Sequence, residues 1–506
     1  MPPRKKSVTA AVQQSLPVAK AAPPVVAKPA KAAKAAPAPK AVAPKAAAPA
    51  PAAKAAAPAV VKKAPAPTTE RAPTTERTVR KLGNGQDRIA IVAGLRTPFS
   101  RSWSDLNDVD PVELSTQVAR ELLFRLEMRP QDVDQVIWGT VISVVRSPNV
   151  AREVAMNLGM YHCSGFSVSR ACASGFQAIA SAAQQIWSGE CDVVLAGGVD
   201  VTSHAPVVYK KKVVDQLQKL QKLHGMGLIK ELTHLNPMDF FPTPPALTER
   251  YTGKTMGEHA EEMAQNFSIS RRSQEELALA SHKKAAAAVQ SGKLAGEIMT
   301  VQTPKGPVSA DNLIRTDMDA GKLAKLKPVF DKRNGTITAA TSSALTDGAA
   351  CVLVMRESRA KELGYEPLGF INSFAFAGQD PRENMLLGNV YSTPIALDRA
   401  GMTLQDMDLL EIHEAFAAQV LSNIKMFNDK AFFRDKLNRD KVLGEVDMAK
   451  LNTRGGSMAF GHPFAATGLR IATTMFNALR QEDKQFGLGT ICAAGGMGTA
   501  MVFERN

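Results

Sequence analysis

No stretch of about 18 consecutive apolar residues occurs in the 506-residue chain, so a membrane-spanning helix of ordinary length is not expected. The N-terminus lacks the apolar core that a secretory signal carries. Cysteine is scarce. Its five residues, at 163, 172, 191, 351 and 492, are odd in number and far apart, which argues against a disulfide framework and for a reducing compartment. Acidic residues are almost missing from the first 85 positions, where 16 Lys and Arg stand against only Glu70 and Glu76. That imbalance accounts for the whole formal charge of +14, because residues 86–506 hold 46 basic and 46 acidic side chains. A neutral folded portion offers no clustered positive surface for counterion release from a phosphate backbone, so nucleic acid is not expected as its partner.

The tail itself is built from Ala, Pro, Lys and Val between about residues 23 and 67. Proline breaks helices there, and little large apolar surface is present to offset chain entropy, so residues 1–85 are expected to be disordered. Such a segment serves either as a solvated tether or as a polycationic arm for nucleic acid, acidic lipid or a protein. Mitochondrial presequences favour arginine on an amphipathic helix. A lysine- and proline-rich tail therefore points to a bacterial cytoplasm, with a mitochondrial matrix as the alternative.

With 45% hydrophobic residues, the remainder is long enough to bury a large core. Residues 88–93 read as a short buried strand, 94–98 as a turn, 111–127 as a helix, 135–139 as a strand and 150–158 as a helix, a rhythm that implies an α/β fold. Two later segments echo each other. Small residues around Ala171-Cys-Ala-Ser-Gly175 open a helix to Ile186, followed by a strand ending Ala-Gly-Gly198. Gly461-His-Pro-Phe-Ala-Ala-Thr-Gly468 opens a helix to Leu479, followed by a strand ending Ala-Ala-Gly-Gly496. A duplicated core is the economical explanation. Residues 204–330 break the pattern, with a basic helical segment over 209–223, a proline-rich stretch over 237–245 and a helical run over 258–291, and read as an insertion. On the 209–223 segment, Val213, Leu217 and Leu220 form one helical stripe beside Lys219 and Lys222, suited either to packing on its own lobe or to a membrane surface or partner.

Four residues are candidates for chemistry. Cys172 lies where the strand-like residues 166–169 meet a helix, and a helix N-terminus is expected to lower a thiol's pKa. His462 sits in a glycine-lined turn, His413 at the junction of a strand and an apolar helix, and Cys492 near the end of a strand closed by Gly495 and Gly496. Taken one at a time, each fits an ordinary core position. Two Cys and two His also suggest zinc, but their separations lie far outside the short-spaced pairs of typical zinc sites, so no metal is expected.

Taken together, these motifs resemble the thiolase family over essentially all of residues 86–506. Ser169-Arg-Ala-Cys-Ala-Ser-Gly-Phe-Gln177 is similar to the family's nucleophile motif, Gly461-His-Pro463 to its Gly-His-Pro motif, and Cys492-Ala-Ala-Gly-Gly496 to its C-terminal cysteine motif. Supporting matches are Arg96-Thr-Pro98, Asp311-Asn312 with Arg315, Lys327-Pro-Val-Phe330 and Leu345-Thr-Asp-Gly-Ala349. His413-Glu-Ala-Phe416 replaces the Asn-Glu-Ala-Phe of many thiolases. That histidine, Met256-Gly257 and Met385-Leu-Leu-Gly388 are similar to β-subunits of fatty-acid oxidation complexes. Ala494 stands where the family has glycine, and Thr341 where an asparagine commonly precedes the CoA-contacting loop.

The resemblance implies a duplicated five-layered α-β-α-β-α core with an inserted, mainly helical loop domain. The halves would be residues 86–360, containing the insertion at about 204–330, and 361–506. It implies degradative 3-ketoacyl-CoA thiolysis with CoA as co-substrate and no cofactor. Cys172 would be the nucleophile, His462 its base, Cys492 the second acid/base and His413 a stabiliser of the enolate oxygen, with backbone N–H groups of Cys172 and Ala494 as an oxyanion hole and Ser343 near the pantetheine arm. Implied partners are a second copy of the chain, an α-subunit with enoyl-CoA hydratase and 3-hydroxyacyl-CoA dehydrogenase activities, and a membrane surface met through the loop domain. Two alternatives remain: the biosynthetic direction, forming acetoacetyl-CoA, and a non-catalytic protein that binds nucleic acid through its tail.

Overall fold

The computed structural model describes residues 87–225, 231, 236–241 and 248–505; the tail expected over residues 1–85 lies outside them. Among the described residues, strands form at β1 (Ile89–Arg96), β2 (Ser100–Arg101), β3 (Gln135–Gly139), β4 (Phe166–Val168), β5 (Val193–Val201), β6 (Val301–Thr303), β7 (Gly306–Val308), β8 (Thr346–Arg356), β9 (Gly369–Gly378), β10 (Leu409–Ile412), β11 (Phe486–Ala493) and β12 (Met497–Glu504). All but β6 and β7 join one sheet in the order β10-β11-β12-β9-β1-β8-β5-β3-β4, with β2 beside β8. All nine residues of β5 are buried, which is why it reads as an apolar run without alternation.

The duplication is visible in strand direction. In the first half β3 runs parallel to β5, and β5, β8 and β1 are successively antiparallel. The second half repeats this, with β10 parallel to β11, then β11, β12 and β9 antiparallel. The two half-sheets are joined edge to edge through the residue pairs Ala90 with Phe370 and Ile91 with Gly369.

Helices complete five layers. Two central helices, Ser174–Trp187 and Phe464–Gln481, lie between the half-sheets, where Phe176, Ile179, Leu469 and Phe476 pack with Val194, Val354, Ile491 and Phe503. The outer face of the first half-sheet carries helices Pro111–Arg125 and Val150–Asn157, and that of the second carries Gly388–Ala400 and Ala417–Phe427. Fourteen of the 18 residues of helix Phe464–Gln481 are buried, so it has no continuous polar face. The central helices cross backbone to backbone. A side chain at Gly175 would stand 2.6 Å from the Ala465 carbonyl oxygen, and one at Gly468 2.7 Å from the Phe176 nitrogen. That close approach explains the glycine in each echoing motif.

Several local expectations need correction. The turn read at 94–98 is largely strand, since β1 runs to Arg96 and Gly94 is there because Thr473 of a central helix fills the space a side chain would take. The helical run 258–291 is two helices, Met256–Asn266 and Arg271–Gln290. Ser268 breaks it at φ 52°, and the Ser270 side chain caps the second helix by accepting from the Ser273 N–H. The basic segment forms helix Lys211–Leu220, in which Val213 is the buried residue, while Leu217 is 38% exposed and does not complete an inward stripe. Of the proline-rich stretch, residues 242–245 lie outside the described set. Among the described residues no helix is long and apolar enough to cross a membrane.

Candidate active site

The nucleophile candidate is held by a tight turn between β4 and a central helix. Ala171 takes a left-handed φ of 45°, and Ser174 Oγ closes the turn by accepting from Arg170 N–H at 2.8 Å and donating to the Ala171 carbonyl at 2.7 Å. A non-glycine residue in that region stores local strain, which the surrounding hydrogen bonds sustain. Cys172 is thereby half-buried at the wall of a cavity of about 320 Å³.

His462 comes from the equivalent place in the second half, just before the other central helix. Its N–H donates to Thr346 Oγ1 at 3.0 Å, its Nδ1 lies 2.7 Å from Thr467 Oγ1, and its buried Nε2 has no partner among the described residues. Asp200, at the end of β5, ties this turn to the first half by accepting from Ala465 N–H at 2.7 Å and from Val141 and Ile142 N–H. Cys492 is the penultimate residue of β11 and is buried, and Ala494 follows in the turn to β12. Cys172, His462, Cys492, Ala494 and Ser343 all line the same cavity.

His413 sits differently. It is fully buried and does not line the cavity, but its ring centroid is 4.1 Å from that of His462. Its loop is held by Asn452, which accepts from Ile412 N–H at 2.9 Å, and by Glu414, which accepts from Ser281, Asn452 and Met458. One ligand-type atom each from Cys172, His413 and His462 lies within 4.8 Å of the others. The distance along the chain therefore fails as an argument against a metal, because folding gathers three residues that sequence spacing kept apart.

Burial dominates the electrostatics. It pushes the Cys172 thiol up to about 12, against the smaller opposing pull of the Ala494 and Cys172 N–H groups. The lowered thiol pKa expected from a helix N-terminus does not appear, because the helix starts only at Ser174 and desolvation outweighs what its end supplies. Burial pushes His462 down to about 3, with Arg470 adding to the effect, and takes His413 well below its ordinary value, with His462 and Arg470 contributing. Cys492 is also raised by burial and by the neighbouring Cys172. Burial thus disfavours the charged form of each of these four groups.

These shifts give a measurable linkage. Between about pH 6.5 and 3 the unfolded chain binds a proton at His462 that the folded chain refuses, so stability from this group falls as pH drops below about 6.5. Asp200 and Glu411, raised to about 7 by burial, act with the opposite sign over part of that range. A comparison of native protein with His462→Asn isolates the histidine. In urea unfolding the variant should gain about 2 kcal/mol relative to the native chain between pH 7 and pH 5.

The supporting motifs divide into cavity wall and framework. Phe330 lines the cavity, edge-on to Phe416 at 5.8 Å. Arg96 is wholly buried and forks onto Asp311 at 2.7 and 2.9 Å, so that pair of motifs is an internal brace. Thr341 is buried, accepts from Thr338 N–H at 2.9 Å and is absent from the cavity wall, whereas residues 342–345 line it. Ser343 spends its hydroxyl on the Ala415 carbonyl at 3.1 Å. Sequence reasoning missed the groups behind the imidazoles, namely Ser457, Thr467 and Arg470. Thr467 was accessible as the residue five beyond His462 on the following helix, but nothing in the sequence pairs Ser457 with His413.

Comparison with known proteins fits this geometry. Residues 89–358 match the thiolase N-terminal domain and residues 365–505 the thiolase C-terminal domain. The chain belongs to the thiolase family. This thiolase is 49% identical over 422 residues to a protein of Aeromonas salmonicida named 3-ketoacyl-CoA thiolase, covering 83% of this chain and 97% of that one. Its fold is similar to that of the Bacillus anthracis acetyl-CoA acetyltransferase, with a TM-score of 0.70 and 34% identity over 83% of this chain and 98% of the other. It is similar also to human mitochondrial 3-ketoacyl-CoA thiolase in complex with CoA, with a TM-score of 0.70 and 30% identity over 83% and 98% of the two chains. The five-layered duplicated α/β core inferred from sequence is thus the family's fold in this thiolase.

Proposed function

We propose that the chain is a degradative 3-ketoacyl-CoA thiolase, an acyltransferase that splits a 3-ketoacyl-CoA with CoA into acetyl-CoA and a shortened acyl-CoA. The observation that carries this reading is one cavity lined by two thiols and an imidazole with a free nitrogen, beside a largely apolar wall that includes Met256, Phe330, Leu386 and Phe416.

In the proposed first half-reaction the Cys172 proton passes to His462 Nε2 and the thiolate attacks the keto carbon. Burial disfavours both the thiolate and the imidazolium, and so opposes a fully formed ion pair before attack. Collapse breaks the bond between C2 and C3 and leaves the electron pair on the acetyl-CoA enolate. Its oxygen is stabilised by His462 and, directly or through a water, by His413. Cys492 delivers the proton to C2. In the second half-reaction the Cys492 thiolate takes the proton of incoming CoA, the CoA thiolate attacks the acyl-Cys172 thioester, and Cys172 departs as a thiolate that takes back the proton held by His462. The tetrahedral oxygen is assigned to the N–H groups of Cys172 and Ala494, and Ser343 to the approach of the pantetheine arm.

Acetyl-CoA release from a series of short, medium and long 3-ketoacyl-CoA substrates, with CoA as co-substrate, tests the reading. Absence of thiolysis across the series rejects it, and faster condensation of two acetyl-CoA molecules favours the biosynthetic alternative. The Cys172, His413 and His462 cluster motivates a metal control. Thiolysis is expected to be unchanged after exhaustive chelation, and loss of activity restored by a divalent ion would overturn the metal-free mechanism.

The same reading places the chain in a bacterial cytoplasm as a homodimer, divided near residue 360, with the insertion at about 204–330. Val207, Val208, Met238 and Phe241 are each more than half exposed near Lys211 and Lys212, a surface suited to an α-subunit or a membrane face.

A further inference from the structure

We infer that Ser457 and Arg470 hold His413 in a single tautomer, with its proton on Nε2, so that this imidazole is a hydrogen-bond donor and not a base. The argument is one of counting donors and acceptors. Arg470 is buried, and its guanidinium donates to Glu411 Oε2 at 2.9 Å and to Ser457 Oγ at 3.2 Å. A guanidinium has no acceptor and does not lose its proton in a protein, so in this contact the serine oxygen must be the acceptor. Ser457 is itself wholly buried, and its Oγ has one other hydrogen-bond partner among the described residues, His413 Nδ1 at 2.9 Å. A buried hydroxyl directs its proton to the acceptor within reach, and among the described residues the only acceptor offered is the lone pair of Nδ1. With Nδ1 accepting, the neutral ring carries its hydrogen on Nε2, the atom left without a partner.

The two adjacent imidazoles then differ in what stands behind them. His413 is backed by a hydroxyl whose direction a fixed cation dictates. His462 is backed by Thr467, whose Oγ1 lies 3.5 Å from the Pro463 carbonyl, an acceptor that leaves His462 Nδ1 free to donate and Nε2 free to take a proton. One ring is set as donor and the other can act as base. Placing Arg470 next to this pair also disfavours a second positive charge on His413. Ser457 and Arg470 are therefore positioning residues, acting through His413 without touching substrate. The consequence for turnover rests on the thiolase reading above, whereas the tautomer itself does not.

The test has a spectroscopic arm and a kinetic arm. In protein labelled with ¹⁵N-histidine, the ring signals absent from His413→Asn identify His413. They are expected to show a protonated Nε2 and an unprotonated Nδ1 in the native chain, and a mixed pattern in Ser457→Ala. A protonated Nδ1 in the native chain overturns the inference whether or not the protein catalyses thiolysis. In the kinetic arm, Ser457→Ala should lower kcat about tenfold with little change in the KM for CoA, and Ser457→Thr should restore most of the loss. In a His413→Asn background, where an amide donor has no tautomer to choose, Ser457→Ala should cost less than about twofold. An equal cost in both backgrounds would mean that Ser457 merely supports the fold, and would sink the proposal.

Discussion

Cys172→Ala is expected to reduce thiolysis by on the order of 10⁴-fold or more, while leaving the thermal unfolding midpoint nearly unchanged. The expectation follows from position. The residue is half-buried at the cavity wall, and its loss removes one sulfur without disturbing the turn, whose hydrogen bonds run through Ser174 and the backbone. His462→Ala should fall in the same range, since among the described residues no other unpartnered side-chain nitrogen lines the cavity. Steady-state rates alone would not separate a lost nucleophile from a misfolded site. The decisive measurement is mass spectrometry of acyl-enzyme after mixing with substrate, which should find the acyl group on Cys172 of the native chain and none on the variant. An acylated variant would remove Cys172 from the mechanism.

Cys492→Ser should divide the reaction. Serine keeps the shape at the end of β11 but is a far weaker acid than a thiol, so attack by Cys172 remains possible while proton delivery to C2 and activation of CoA suffer. Turnover should drop by about 10² to 10⁴-fold, the range for loss of a general acid or base, and an acyl-Cys172 species should still accumulate in single-turnover experiments. The raised pKa of Cys492 fits that task, since burial keeps it protonated until a carbanion needs its proton. Near-native turnover in this variant would move the acid role elsewhere.

Much of this site could be read from residue type and local pattern. Cys172, His462 and Cys492 each sit in a short run of small residues where the chain must bend closely around something, and such runs persist in sequence as contiguous words. The duplicated architecture was legible for a related reason, because both copies keep a glycine where the central helices cross. What escaped was whatever depends on distant neighbours. Gly94 reads as a turn because its crowding partner, Thr473, is hundreds of residues away. A local rule about helix ends leaves out the burial that opposes it at the Cys172 thiol. The break at Ser268 is a single left-handed residue in an otherwise helical composition. Ser457 lies 44 positions from His413, and only folded coordinates reveal that Arg470 decides which way its hydroxyl points.

The glycine contact between the central helices has a bearing on how such an enzyme can diversify. With Gly175 and Gly468 pressed against opposing main chain, the spacing of the sulfur and the imidazole is set at the axle of the molecule, not at its rim. Peripheral segments are then free to lengthen, acquire charge or recruit neighbours during evolution without retuning the interatomic gap on which bond cleavage depends.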